Sequence, residues 1–179
     1  MSTTTKTLWK IDPTHSEIQF KVKHLVISTV TGNFKSFDGR LETDGENFEN
    51  ASAYFEADIN SISTNNEDRD NHLKSDDFFN AGEYPKLTFE STSFERVGDS
   101  RYKLTGNLTI REVTKEIELE VTHGGTVEDP YGNTKAGFEV TGTINRKEFG
   151  LKWNAVTEAG NVVVGDNIKL QLNIQLVQN

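Results

Sequence analysis

The feature that most constrains this chain is a two-residue alternation of apolar and polar side chains, repeated in run after run. In "SEIQFKVKH", Ile18, Phe20, Val22 and His24 share one face, and Glu17, Gln19, Lys21 and Lys23 share the other. The same period carries Ala53, Phe55, Ala57 and Ile59, then Tyr102, Leu104, Gly106, Leu108 and Ile110. It returns in Ile117, Leu119, Val121 and His123, and again in Ala136, Phe138, Val140, Gly142 and Ile144. The last run, "NIKLQLNIQLV", gives Ile168, Leu170, Leu172, Ile174 and Leu176, while Leu87 and Phe89 open a further one. A period of two is that of a pleated strand with one face toward a core; a helix would repeat every three or four residues.

Turn signals punctuate the runs: Asp38-Gly39, Asp44-Gly45, Gly98-Asp99 and "EDPYGN" at 128–133. Between Val30 and Leu41 the apolar parity switches, from Val30, Gly32 and Phe34 to Phe37, Gly39 and Leu41. One extra residue would do this, so a β-bulge is expected near Lys35 or Ser36. Helix is scarce. Thr64 followed three residues later by Glu67 reads as a capping box for a short helix through about Lys74. Ser75 can cap a second turn over Asp76 to Phe79, and Pro85 precedes the next strand, so 64–85 is a long crossover.

About eight strands with one oily face each must bury those faces against one another. A sandwich and a closed barrel both do so. The terminal run alternates as strictly as the central ones, and an open edge that regular would invite pairing with other chains, so closure is expected. The fold class is therefore all-β: an eight-stranded antiparallel β-barrel with one or two short helices in a long crossover. The 179 residues fit a single domain spanning 1–179.

Such a barrel is either packed solid or holds one small ligand. Ala53, Ala57, Gly106, Ala136 and Gly142 fall at inward positions. Small residues there either receive a facing bulky ring or leave room, and a hollow interior is the favoured reading. Its lining would be Phe20, Val22, Phe34, Phe55, Phe89, Leu104, Leu108, Phe138, Ile144 and Trp153, which suits an apolar ligand. Ten buried carbons at roughly 0.8 kcal/mol each give about 8 kcal/mol. Immobilising the ligand takes back at least several kcal/mol, so a long tail binds usefully and a short one does not. The competing reading is an interaction module, related to stress, with a solid core and no lipid.

Two stretches could form the polar lip of such a cavity. In "RDNHLKSDDFF" (69–79), Phe78 and Phe79 would line the mouth, and Arg69 or His72 would meet a headgroup, since a guanidinium fork suits phosphate or carbonyl oxygens. The structural alternative caps helical turns with Ser75, Asp76 and Asp77, pairs Arg69 with Asp70 locally, and makes the aromatics a plug. In "INRKEFGLKWN" (144–154), Asn145 and Arg146 are mouth candidates, against a satisfied arginine beside a core tryptophan. His24, in phase with Phe20 and Val22, is either a cavity hydrogen-bond partner or a satisfied core histidine. The loop at 156–165, with Gly160 and Gly165, is expected to be mobile.

Other chemistries find little support. The net charge of −9 repels nucleic acid and anionic membrane surfaces. There are no cysteines, so disulfides, thiolate nucleophiles and Cys-ligated metals are out. The four histidines (His15, His24, His72, His123) show no metal-ligand spacing, and no nucleophile elbow or phosphate loop is present. No catalytic residue, metal or cofactor is expected. No apolar run approaches membrane-spanning length, so stable membrane insertion is not expected. The N-terminal "MSTTTKTLWKIDPTHS" has no signal-peptide core, which points to the cytoplasm, with the periplasm as the alternative if a leader has been processed.

Six motifs occur in order: "WKIDPTHSEIQFKVKHL", "TGNFKSFDG", "RDNHLKSDDFF" followed by "YPKLTFES", "LTGNLTIREVTKEI", "GFEVTGTINRKEFGL" and "VGDNIKLQLNI". In register they resemble the YceI-like family of polyisoprenoid-binding proteins, from about Trp9 to Ile174. That resemblance implies a lipocalin-like barrel with a long internal pocket. It implies a polyisoprenoid or other long-chain lipid as partner, such as a polyprenyl phosphate, an isoprenoid quinone or a fatty amide, bound, stored or transported without catalysis. It also permits a homodimer. Many members carry a secretion signal, which this sequence does not show.

Overall fold

Each alternating run forms a strand in the computed structural model, which describes residues 6–25, 27–45, 47–154 and 163–179. The strands are β1 (Lys6–Ile11), β2 (Glu17–His24), β3 (Ser28–Phe34), β4 (Phe37–Asp44), β5 (Asn47–Asp58), β6 (Ile62–Ser63), β7 (Lys86–Arg96), β8 (Arg101–Ile110), β9 (Val113–Glu128), β10 (Thr134–Asn145) and β11 (Val164–Gln178). The single α-helix described, α1, covers Glu67–Lys74. Among the described residues no helix is long and apolar enough to cross a membrane.

Among the described residues, eleven strands make eight staves. β1 and β2 both pair with β11, Ile11 opposite Leu176 and Glu17 opposite Asn173, with a 3-10 turn at Pro13–His15 between them. β3 pairs with β2 and β4 with β1. Each couple is therefore one long stave broken by a corner. Around the circumference the order then runs through β5, β7, β8, β9, β10 and β11, and the β1–β11 pairing closes the ring. Every pairing is antiparallel, and the result is a closed eight-stranded, lipocalin-like barrel.

The parity switch at 35–36 is thus a break between β3 and β4, not a bulge: the two halves face different partners, so the corner can reset which side points inward. Asp38-Gly39 is not a turn either. Gly39 lies inside β4 opposite Phe55, and a Cβ there would sit 3.2 Å from the Tyr54 carbonyl, so close backbone approach explains the glycine. Asp44-Gly45, Gly98-Asp99 and 129–133 do turn, and Asp129 Oδ1 accepts from the Tyr131 and Asn133 amides at 2.9 Å each in the last.

Helix α1 starts two residues later than the capping box implies. Asn66 is its N-cap and accepts from the Arg69 amide at 3.0 Å. Thr64 is buried and bonded elsewhere. Phe78 N donates to Ser75 O at 3.0 Å, closing the second turn. The wall is not uniform in height. β6 meets β3 only at Asn33 and Phe34, and among the described residues Ser28–Gly32 pair with β2 alone. There the 64–85 crossover stands in for a strand, and the barrel's upper end is closed by helix and loop rather than by sheet.

The lower end is packed with rings. Trp9 is 1% exposed and lies 5.5 Å from Phe48, which meets Phe138 edge-on at 5.2 Å. His123 stacks on Phe138 at 4.9 Å. The Trp9 indole donates to Thr43 Oγ1 at 3.1 Å, and Thr43 donates to the Gly45 carbonyl at 2.7 Å.

Candidate ligand cavity

Between this ringed floor and α1 the inward side chains of all eight staves leave a cavity of about 590 Å³. That lies in the usual range for small-molecule pockets, roughly 300–1,000 Å³. Its effect on burial is visible along β2 and β11. Phe20, Val22, Ile168, Leu170, Leu172 and Ile174 point inward yet are only half-buried, because they look onto the void instead of onto facing side chains.

The residues expected to line the cavity do so. Phe20, Val22 and Phe34 contribute from the first two staves, Phe55 from β5, and Phe89 from β7. Leu104 and Leu108 of β8, Phe138 and Ile144 of β10, and Trp153 complete that set. The small residues do not create the space. Of the five, only Ala53 touches the cavity. Ala57 and Ala136 are 0% and 1% exposed in solid packing. A Cβ on Gly106 would meet the Phe89 ring at 2.4 Å, and one on Gly142 would meet Leu119 at 2.4 Å. Each glycine is covered by a side chain of the adjacent strand. The void comes instead from a barrel circumference that the inward side chains, aromatic and aliphatic, do not span.

At the mouth the lining turns polar through Lys23, His24, Asn66, Asp68, Arg69 and His72. His24 is half-buried at the end of β2, beside Val164 of β11. Arg69 is committed to the protein: Nε donates to Thr64 Oγ1 and Nη2 to Thr64 O, both at 2.7 Å. Thr64 in turn donates from N and Oγ1 to Asp70 Oδ1 at 2.8 and 2.6 Å, so the threonine bridges the expected Arg69–Asp70 pair. His72 Nε2 is 2.9 Å from Asp77 Oδ2, and its ring meets Trp153 at 4.6 Å and Phe78 at 5.1 Å, both edge-on. Phe78 is buried, Phe79 half-buried, and both line the cavity.

The second lip stretch is largely structural. The Asn145 side chain is off the cavity; its Oδ1 accepts from the Lys147 amide at 3.0 Å and caps the 3-10 turn Arg146–Phe149, which corrects its placement at the mouth. Arg146 touches the cavity wall but is 2% exposed. Its guanidinium donates to Gly165 O at 2.8 Å, Leu151 O at 2.6 Å, Trp153 O at 2.8 Å and Val164 O at 3.3 Å. Burial pulls its pKa down, and Asp166 opposes that pull. Four carbonyls thus hold a desolvated cation that ties 151–153 to the start of β11. Of the loop expected to be mobile, 156–162 lie outside the described residues.

Sequence reading passed over Arg111. It sits in the β8–β9 turn with φ +56° and donates to Asp76 O, Phe78 O and Asp76 Oδ1 at 3.3, 3.2 and 3.1 Å. It pins the Asp-Asp-Phe-Phe turn to the barrel. A lone arginine in a turn gives no sequence signal of this. Among the described residues no three His, Asp or Glu side chains converge as metal ligands.

The family model described as the YceI-like domain matches residues 9–176. UPF0312 proteins of Staphylococcus epidermidis and Staphylococcus aureus are 38% identical over 170 residues, covering 94% of this chain and 96% of theirs. The crystal structure of a Campylobacter jejuni YCEI protein superposes with a TM-score of 0.73 at 34% identity, over 89% of this chain and 91% of that one. Burkholderia cenocepacia BcnA gives 0.80 at 21% identity, over 92% and 98%. A polyisoprenoid binding domain from Saccharophagus degradans, implicated in plant cell wall breakdown, gives 0.71 at 17%, over 96% and 98%.

Proposed function

We propose that this chain, which belongs to the YceI-like domain family, takes a long apolar amphiphile into its barrel and holds it there unchanged. One observation carries the reading: a largely apolar cavity of about 590 Å³, bounded by rings at the floor and with most of its polar lining at the mouth. Binding is then desolvation of a tail along Phe20, Phe55, Leu108, Phe138 and Leu170, with the headgroup left near His24 and Asp68. A barrel serving only as a solid interaction module would have this lining closed on itself, and it is open.

The Saccharophagus degradans domain, described as polyisoprenoid-binding, shares this fold and supports a prenyl chain or similar lipid as the ligand class. An isoprenoid quinone fits the same requirement, and storage or carriage are the roles such a protein would serve. The rim groups favour holding over chemistry. Arg69, His72 and Arg146 already face protein acceptors, so none stands ready to activate a substrate. The test is native mass spectrometry of gently purified protein, followed by lipid extraction. A stoichiometric adduct that extracts as a prenyl or acyl lipid is the expected result. Consistently empty protein that takes up neither class overturns the proposal.

A further inference from the structure

The floor of the cavity is rigid, and this sets a limit on the ligand. Its lowest lining residues are Ile11, Leu41, Phe94, Phe138 and Leu176. Behind them, off the cavity, lie Trp9, Phe48, Tyr102 and His123. Phe138 is stacked on His123 at 4.9 Å and meets Phe48 at 5.2 Å, while Phe94 stacks on Tyr102 at 4.9 Å. Trp9 braces Phe48 from below and is itself fixed by its bond to Thr43, a residue 1% exposed. Every ring of this layer rests on another ring or a buried hydrogen bond. A close-packed layer of that kind does not retreat for a longer guest without losing several contacts at once.

We propose that this aromatic floor is a length ruler. It stops an apolar tail at a fixed depth, so a cavity of about 590 Å³ entered from the mouth takes up a limited number of carbons. The ligand class is therefore an amphiphile with one long apolar tail whose buried length is set by the floor. Chains beyond that length project through the mouth beside α1. The inference rests on the lipid-holding reading given above and adds a cut-off to it.

A bilayer and the cavity wall are both apolar, so a carbon moving from one to the other changes little. A carbon that leaves a bilayer and ends in water loses about fourfold in occupancy. Uptake from a donor bilayer should thus be nearly independent of chain length up to the limit and fall about fourfold per carbon past it. The probe is an equimolar set of straight-chain 1-alcohols, from roughly twelve to thirty carbons, in phosphatidylcholine vesicles. Protein is incubated with the vesicles, separated from them, and its bound alcohols are quantified by mass spectrometry.

The expected result is a break within the series, at the length that reaches the floor. Phe138→Leu, which lowers the floor, moves the break toward longer chains. Val121→Phe, one residue pair above the floor, moves it toward shorter ones. Cooperative unfolding of each variant confirms its fold, and Val121→Phe carries the test if Phe138→Leu does not fold. Uptake with no break across the series overturns the ruler and leaves lipid holding intact. So does a break that neither folded variant moves. No uptake at any length overturns the lipid-holding reading itself.

Discussion

At the residue scale, the glycines separate what looks alike in sequence. Gly106 and Gly137 are both mid-strand glycines, but a Cβ at Gly106 would lie 2.5 Å from the Glu90 carbonyl, whereas at Gly137 nothing lies within 4 Å. Gly106→Ala is expected to destabilise the fold by roughly 2 kcal/mol, since backbone has to move, and Gly137→Ala to be near neutral. Urea denaturation of the two variants measures the contrast. Arg146 makes a similar point about charge: Arg146→Met leaves four carbonyls without their donor, and an expected loss of about 3–5 kcal/mol would show in the same assay. Alternation revealed which side chains point inward, and the cavity lining was legible for that reason. Asn145 was not, because its cap on Lys147 follows no strand pattern, and for Arg146 the satisfied reading held, with two of its four carbonyl partners, Val164 and Gly165, lying beyond the next loop. Two titrations belong at this scale. Burial against Phe48 and Phe138 holds the His123 pKa below its usual 6.5. The unfolded chain therefore takes up that proton first, and stability present above pH 6.5 is lost as pH falls through the folded value. Hydrogen bonds from Thr14 and His15 hold Asp12 at about 2, below its ordinary 3.8, so its contribution is complete above 3.8 and is lost as pH falls through about 2. Denaturation measured against pH should show both losses, and His123→Phe should remove the upper one alone.

At the element scale, the barrel's unequal wall has a dynamic consequence. α1 buries no residue fully and is held by polar contacts, ring edges and the half-buried Leu73, whereas β8 and β9 pair along ten registered positions. Elements with few buried apolar contacts open at a small fraction of the global unfolding free energy. Amides of 67–74 should therefore exchange with deuterium far faster than those of β8, and Asn66→Ala, removing the cap, should cost α1 about 1 kcal/mol and speed its exchange further. Equal protection of α1 and β8 would contradict this account of the mouth. The helix itself was legible from its capping-box signal, although its start lay two residues on. The broken staves were not, because a parity switch reads the same for a bulge and for a corner. Only the partners of β3 and β4 distinguish them.

At the scale of the whole molecule, closure and hollowness have different origins. Closure follows from alternation that persists to the last strand, and it could be read directly. Hollowness does not follow from the small residues, four of which are off the cavity; it follows from a circumference fixed by eight staves, across which the inward side chains do not meet. A larger side chain placed on that void should fill it without straining the wall. Leu170 is half-buried, lines the cavity and pairs with Phe20 across β2. The most direct measurement is titration of a polarity-sensitive fluorescent dye into the protein and into Leu170→Trp, each followed by a long-chain lipid competitor. The expected result is one dye per barrel, displaced by the lipid, with binding lost in Leu170→Trp while its unfolding stays cooperative and its stability changes by less than about 1 kcal/mol. Dye binding that survives unchanged in the folded variant, or that no long-chain lipid displaces, would contradict it.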